Sequence, residues 1–151
     1  MMHVQSPRGD DQSIEQEIQA KGLTAPRVTP ADIEANIDSE HYFTAQDGAF
    51  AAAAAGAPAT LPIGSVAFTD AAPLRLLTFC VLVLKNGFTV TGESACASPE
   101  NFDAEVGRKI ARQNAVNKIW PLMGYELRSK LARPASMVTA DGSPCPATTF
   151  G

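Results

Sequence analysis

The apolar positions of this chain crowd into one stretch. Its longest apolar run, Leu76 to Leu84, is broken only by Thr78; Asn86-Gly87 follows, then a stretch from Phe88 to Cys96 in which apolar Phe88 and Val90 alternate with threonines. Short apolar runs bounded by turn residues read as strands. Asn-Gly between two of them signals a hairpin, because it supplies positive φ at both centres of a type I′ turn. The pattern therefore predicts a β-hairpin over about 74–96. A two-residue turn sets its register: Lys85 opposite Phe88, Val83 opposite Val90, Val81 opposite Gly92, Phe79 opposite Ser94 and Leu77 opposite Cys96. One face then holds Leu77, Phe79, Val81, Val83, Val90 and Cys96 and is expected to be the core. The other holds Thr78, Cys80, Leu82, Leu84, Thr89, Thr91 and Glu93, half apolar, and suits cover by a helix or a second subunit. Since two strands alone are marginal, a third is expected near Ile63–Thr69.

After the hairpin the period changes to that of a helix. Ser98 as cap, with Pro99 and Glu100 in the first turn, starts a helix expected over about 99–120. At 100° per residue, Phe102, Val106, Ile110, Val116 and Trp120 share one arc, with Ala104, Ala111, Ala115 and Ile119 nearly opposite. The large arc is expected on the sheet, leaving the alanine face for another helix. Pro121 interrupts the run, and Leu127 with Leu131 suggests a last helix to about Ala132. Upstream, Thr29 as N-cap and Pro30 at the first helical position predict a helix over about 30–40 carrying Ile33 and Ile37. Ser13 with Gln16 is a weaker start, ended by Gly22. Asp47-Gly48, Gly56, Pro58 and Pro62 mark 45–62 as an alanine-rich linker. Residues 1–28 and 133–151 read as mostly disordered tails. The expected organisation is one α+β domain over 29–132, a small antiparallel sheet packed on a long helix.

Composition sharpens this picture. Hydrophobic residues make 45% of the 151, but 25 are alanines; Leu, Ile, Val and Phe number 33, and 22 of these lie between Leu61 and Leu131. A core this small buries only about 60% of its unfolded surface, so association with a second copy or a ligand is expected to supplement it. No apolar run approaches the roughly 20 residues of a membrane span, and the start lacks a secretory pattern. Three cysteines without a CxxC pair suggest free thiols, and the two histidines lack metal-ligand spacing; neither a metal nor a cofactor is expected.

The net charge of −4 is uneven: residues 1–60 carry −6, whereas residues 98–133 carry +3. That basic segment holds the candidate ligand residues Arg108, Lys109, Arg112 and Asn114, with Trp120 able to stack a base. Guanidinium forks and amides at helical spacing suit a phosphate or purine edge. The same residues also suit a solvated face in which Glu105 pairs Arg108 or Lys109. Glu93, placed opposite Cys80 by the register, is a further candidate, as a partly buried acid or as the partner of a base. Cys80 and Cys96 fall on opposite faces, which precludes a bridge. A catalytic thiol would require a base such as His41, itself expected at a helix end; no catalytic set is assigned.

Three blocks resemble a known family: VTPADIEANIDSEHYF at 28–43, TFCVLVLKNGFTVTGESAC at 78–96 and PENFDAEVGRKIARQNAVNKIWPLMGYEL at 99–127. They are similar to small tailed-phage proteins, the gene-product forty-nine/sixty-six family, across about two thirds of the chain. The resemblance implies a phage or prophage origin and residence in the bacterial cytoplasm, and it brings no catalytic residues. The leading expectation is a non-enzymatic, homo-oligomeric accessory protein that binds a host component in takeover or counter-defence, with a nucleotide signal as one ligand. The alternatives are a small hydrolase or transferase using Glu93, Cys80 or His41, and a nucleic-acid-associated early protein, although one basic segment is too little for generic nucleic-acid affinity. No membrane partner is expected.

Overall fold

A computed structural model describes residues 10–56 and 73–133. It is an α+β fold: a three-stranded antiparallel sheet with order β1-β2-β3, crossed on one face by a long C-terminal helix. The elements are α1 (Asp11–Ala20), α2 (Pro30–Asn36), β1 (Ile37–Thr44), α3 (Ala45–Ala54), a 3-10 turn at Pro73–Leu76, β2 (Leu77–Leu84), β3 (Thr89–Ala95), a second 3-10 turn at Pro99–Asn101 and α4 (Ala104–Ala132). No helix among the described residues is long and apolar enough to cross a membrane. The strand expected at Ile63–Thr69, the part of the linker beyond Gly56, residues 1–9 of the N-terminal tail and residues 134–151 of the C-terminal one lie outside the described residues.

Caps decide most of the helix starts. Thr29 caps α2 as expected: Asp32 N–H donates to Thr29 Oγ1 (3.2 Å), and Asp32 Oδ2 accepts from Thr29 N–H (2.9 Å). The same reciprocal box recurs at Thr44 and Asp47, where Asp47 N–H donates to Thr44 Oγ1 (3.1 Å) and Thr44 N–H to Asp47 Oδ2 (2.8 Å). It starts α3 inside the stretch read as a linker. Alanine is the best helix former, so a capped alanine run becomes helix without an apolar stripe. Asp10, not Ser13, caps α1, and Gly22 ends it at φ 66°. Asp103, not Ser98, caps α4, its Oδ1 accepting from Val106 N–H at 2.8 Å. The helix expected to end at Trp120 runs through Pro121 to Ala132, Pro121 sitting on an exposed position.

The helix expected over 30–40 stops at Asn36, and the chain turns into the third strand of the sheet. IDSEHYFT alternates on β1, with Glu40 opposite Leu82, His41 opposite Val81, Tyr42 opposite Cys80 and Phe43 opposite Phe79. His41 is thus a strand residue rather than a helix-end one.

The hairpin itself is shifted by one residue from the expected register. Leu84 N–H donates to the Phe88 carbonyl (2.8 Å) and Gly87 N–H to the Leu84 carbonyl (2.8 Å), leaving Lys85-Asn86-Gly87 as a three-residue loop. Only Gly87 has positive φ (84°), so the type I′ turn is replaced by a turn followed by one left-handed glycine. Asn86 instead accepts from Phe88 N–H through its side chain (3.0 Å). Val83 then pairs with Thr89, Leu82 with Val90, Cys80 with Gly92 and Phe79 with Glu93. A one-residue slip exchanges the faces of β3 relative to β2. The buried face accordingly carries Thr78, Cys80, Leu82, Leu84, Val90 and Gly92: Val90 is buried as expected, whereas the assignment of β2 is reversed.

The helix is reversed as well. Gly107, Ala111, Ala115 and Ile119 are buried against the sheet, whereas Val106 is 51% and Ile110 37% exposed. Glycine explains both reversals. A Cβ built on Gly92 would lie 2.0 Å from the Ala111 carbonyl oxygen and 2.3 Å from the Ala115 backbone nitrogen, so the α4 backbone rests directly on β3 at this point. Only small side chains fit there, and the alanine face is the one that has them. Ile33 of α2 joins Leu82, Leu84, Val90, Val116 and Ile119 in the core.

We expect Gly92→Ala to destabilise the fold by about 3 kcal/mol, because the clash is with backbone rather than a flexible side chain. Thr91→Ala on the exposed neighbour should cost much less. Urea unfolding measures both, and a Gly92→Ala loss below about 1 kcal/mol would contradict this helix seat.

Candidate functional site

The candidate ligand residues on α4 fall into four separate surroundings. Arg112, half-buried, is gripped by two carboxylates from different elements. Its Nε and Nη2 donate to Glu40 Oε1 at 2.9 and 2.7 Å, and its Nη1 and Nη2 donate to the two oxygens of Glu34 at 3.2 and 2.8 Å. Tyr42 Oη donates to the other oxygen of Glu40 at 2.7 Å. The guanidinium, two carboxylates and phenol thus join α4 to α2 and β1. Two acids against one base leave this cluster at −1, so a phosphate approaching Arg112 would meet net repulsion.

The shifts within the cluster agree with that geometry. The Arg112 guanidinium holds the Glu40 carboxyl below its ordinary value, and Glu34 with Glu40 holds Arg112 even more firmly protonated than usual. Burial, reinforced by the bond to Glu40, pushes the Tyr42 phenol up. Cys80 beside it has no exposure, and burial raises its thiol too. The phenol and the thiol are thus both pushed towards their protonated forms, which is the opposite of what an activated nucleophile needs.

Around the helix, Asn114 Nδ2 donates to the Glu93 carbonyl (2.8 Å) and Lys118 Nζ lies 3.8 Å from Glu93 Oε1, tying α4 to the outer edge of β3. Lys109 pairs with Glu105 at 2.8 Å one turn away, and Arg108 is exposed. Trp120 Nε1 donates to Asp11 Oδ2 at 3.3 Å, and Trp120 shares a hollow with Ile14 and Ile18 of α1, Val28 and Pro30. Helical spacing is therefore kept, yet Arg112, Asn114 and Trp120 do not converge on one ligand.

The alternative enzyme set also separates. Glu93 sits opposite Phe79 on the face away from Cys80, because of the one-residue register shift. His41 shares Glu93's face but stands on the other edge strand, and its Nε2 is 3.1 Å from Ser39 Oγ. Cys96, expected across the sheet from Cys80, lies towards the helix side in the wall of a cavity that also includes Thr78 and Gly107; both cysteines are free. Among the described residues no group of three or more His, Cys, Asp and Glu is placed to hold a metal ion.

Glu34, Glu40 and Tyr42 are the polar residues that sequence reasoning missed. Their signal was the alternation of 37–44: read as a strand, it puts Glu40 and Tyr42 on one face.

The concave feature at the other end of α4 has a different character. A cavity of about 330 Å³ lies between the start of β2, the end of β3 and the first turns of the helix. Leu76, Phe102, Val106 and Ile110 form apolar walls, and Thr78 and Asp103 are among its polar groups. Phe102, Val106 and Ile110 of the large arc, displaced from the sheet by the alanine face, line this cavity, while Val116 of the same arc is in the core.

The description "Phage protein (N4 Gp49/phage Sf6 gene 66) family" belongs to a family model that matches residues 28–131, from just before α2 almost to the end of α4. No curated protein and no solved structure matches the chain.

Arg112→Ala should lower stability by roughly 2 kcal/mol, and Arg112→Lys should recover little, since a lysine cannot bridge two carboxylates with a planar fork. The clamp's contribution is also pH-dependent. Glu40 titrates lower folded than its ordinary value of 4.5, so its stabilisation is complete above that value and is lost as pH falls through the folded one. Thermal melts from pH 7 to 3 should show this loss in the parent protein. A slope below pH 4.5 unchanged in Arg112→Ala would refute the assignment.

Proposed function

This chain belongs to the phage protein (N4 Gp49/phage Sf6 gene 66) family, and we propose that it is an accessory protein that acts by binding a host component in the bacterial cytoplasm rather than by catalysis. The observation that carries this reading is how its reactive groups are employed. Arg112, Glu40, Tyr42 and Cys80 are locked into joining helix to sheet, while a sheet face rich in Leu77, Phe79, Val81 and Val83 is only partly covered. Phe43 and Phe79 stack on that face with centroids 5.6 Å apart, and Phe43 remains 39% exposed. Partly covered apolar surface on a small domain fits association. The protein works as a homo-oligomer, with this face as the contact between copies, and host takeover or counter-defence is the setting that suits it.

A nucleotide ligand is supported less by these surroundings, because the clamp occupies Arg112 and α1 covers Trp120; exposed Arg108 is what favours it. Calorimetry against cyclic and linear nucleotides decides this second reading, and no heat for any would end it.

Light scattering at micromolar concentration should give a mass of at least two chains, and Val81→Asp with Val83→Asp should give one. A monomeric parent protein would remove the oligomer. The host-binding reading fails if tagged protein recovered from infected cells retains nothing that the doubly substituted protein loses.

A further inference from the structure

The cavity at the start of α4 has the properties of a small-molecule site. Its volume of about 330 Å³ falls at the lower end of the range for such sites, about 300–1,000 Å³. Apolar side chains from three directions enclose it: Leu76 before β2, Phe102 before the helix, and Val106 with Ile110 on the helix. Thr78, 4% exposed, brings a hydroxyl to it beside Gly107. A Cβ at Gly107 would stand 3.1 Å from Thr78 Oγ1, so the glycine keeps the helix close on this side without filling the space.

The charge of the lining selects the ligand. Among the described residues that line the cavity, Asp103 is the one acidic or basic residue, with no lysine, arginine or histidine beside it. A helix start by itself attracts anions, but Asp103 already places a full negative charge there. Its Oδ1 accepts the Val106 N–H as the helix cap. Its second oxygen has further capacity to accept.

We propose that this cavity binds a compact, largely apolar amine, with the hydrocarbon between Leu76, Phe102, Val106 and Ile110 and the ammonium donating to the Asp103 carboxylate. The site is distinct from the Arg112 clamp and from the partly covered sheet face, so it stands whether or not the protein oligomerises. The same carboxylate disfavours anionic ligands, nucleotides included.

Phenethylamine and phenylacetate, similar in size and opposite in charge, provide the test on the full-length chain. Cys96 in the cavity wall is a reporter, since the residue is partly exposed while Cys80 is sealed; Cys145→Ser removes the remaining cysteine. Phenethylamine should shift the Val106 and Ile110 methyl resonances saturably and slow alkylation of Cys96 by N-ethylmaleimide. It should bind at least about ten-fold more tightly than phenylacetate, as a charge-assisted hydrogen bond implies. Asp103→Asn keeps a good helix cap while removing the charge. It should therefore weaken phenethylamine about ten-fold with the melting temperature nearly unchanged. No saturable shift with millimolar phenethylamine, equal binding of phenylacetate, or undiminished binding by a folded Asp103→Asn would each overturn the proposal.

Discussion

The backbone contact between α4 and β3 at Gly92 governs the arrangement of the rest of this protein. With the Ala111 carbonyl and the Ala115 nitrogen lying where a Cβ would be, helix and strand meet without a side chain between them at that point. Such a seat demands small residues on both sides, and Gly107, Ala111 and Ala115 supply them along one face of the helix. The hydrophobic effect alone would favour burying the larger arc. Close packing wins because interiors tolerate neither overlap nor large voids.

Two consequences follow from that seat. Phe102, Val106 and Ile110, turned away from the sheet, form with Leu76 the walls of a cavity at the helix start instead of a core. The opposite sheet face, with Phe79, Val81 and Val83, is left to partial cover by α3 and the residues before β2. Both apolar surfaces open to partners are thus by-products of one tight contact.

The Arg112 clamp complements this packing at the other edge of the helix. Glycine and alanine contacts hold α4 close but are smooth and bury little polar specificity. A guanidinium bound by Glu34 of α2 and Glu40 of β1 fixes how far the helix is turned about its axis and where β1 stands. The charges that looked available for a ligand are thereby used to hold elements distant in the chain, the partners being 72 and 78 positions apart.

Much of the local structure could be read from the sequence because it depends on neighbours. The Thr29 cap, the end of α1 at Gly22, the hairpin at Asn86-Gly87, the long helix after it and the α+β class all rest on short-range chemistry. Even the misread alanine stretch held a legible signal in Thr44 and Asp47. What the chain alone left open was every choice between two faces: the hairpin register, the side of β2 that is buried, the side of α4 that meets it, and whether Arg112 faces ligand or protein. Each is nearly symmetric locally, since both faces of β2 and of α4 are apolar. The choice is made only when Gly92 and the alanines come into contact, a relation between residues about twenty apart that no periodicity records.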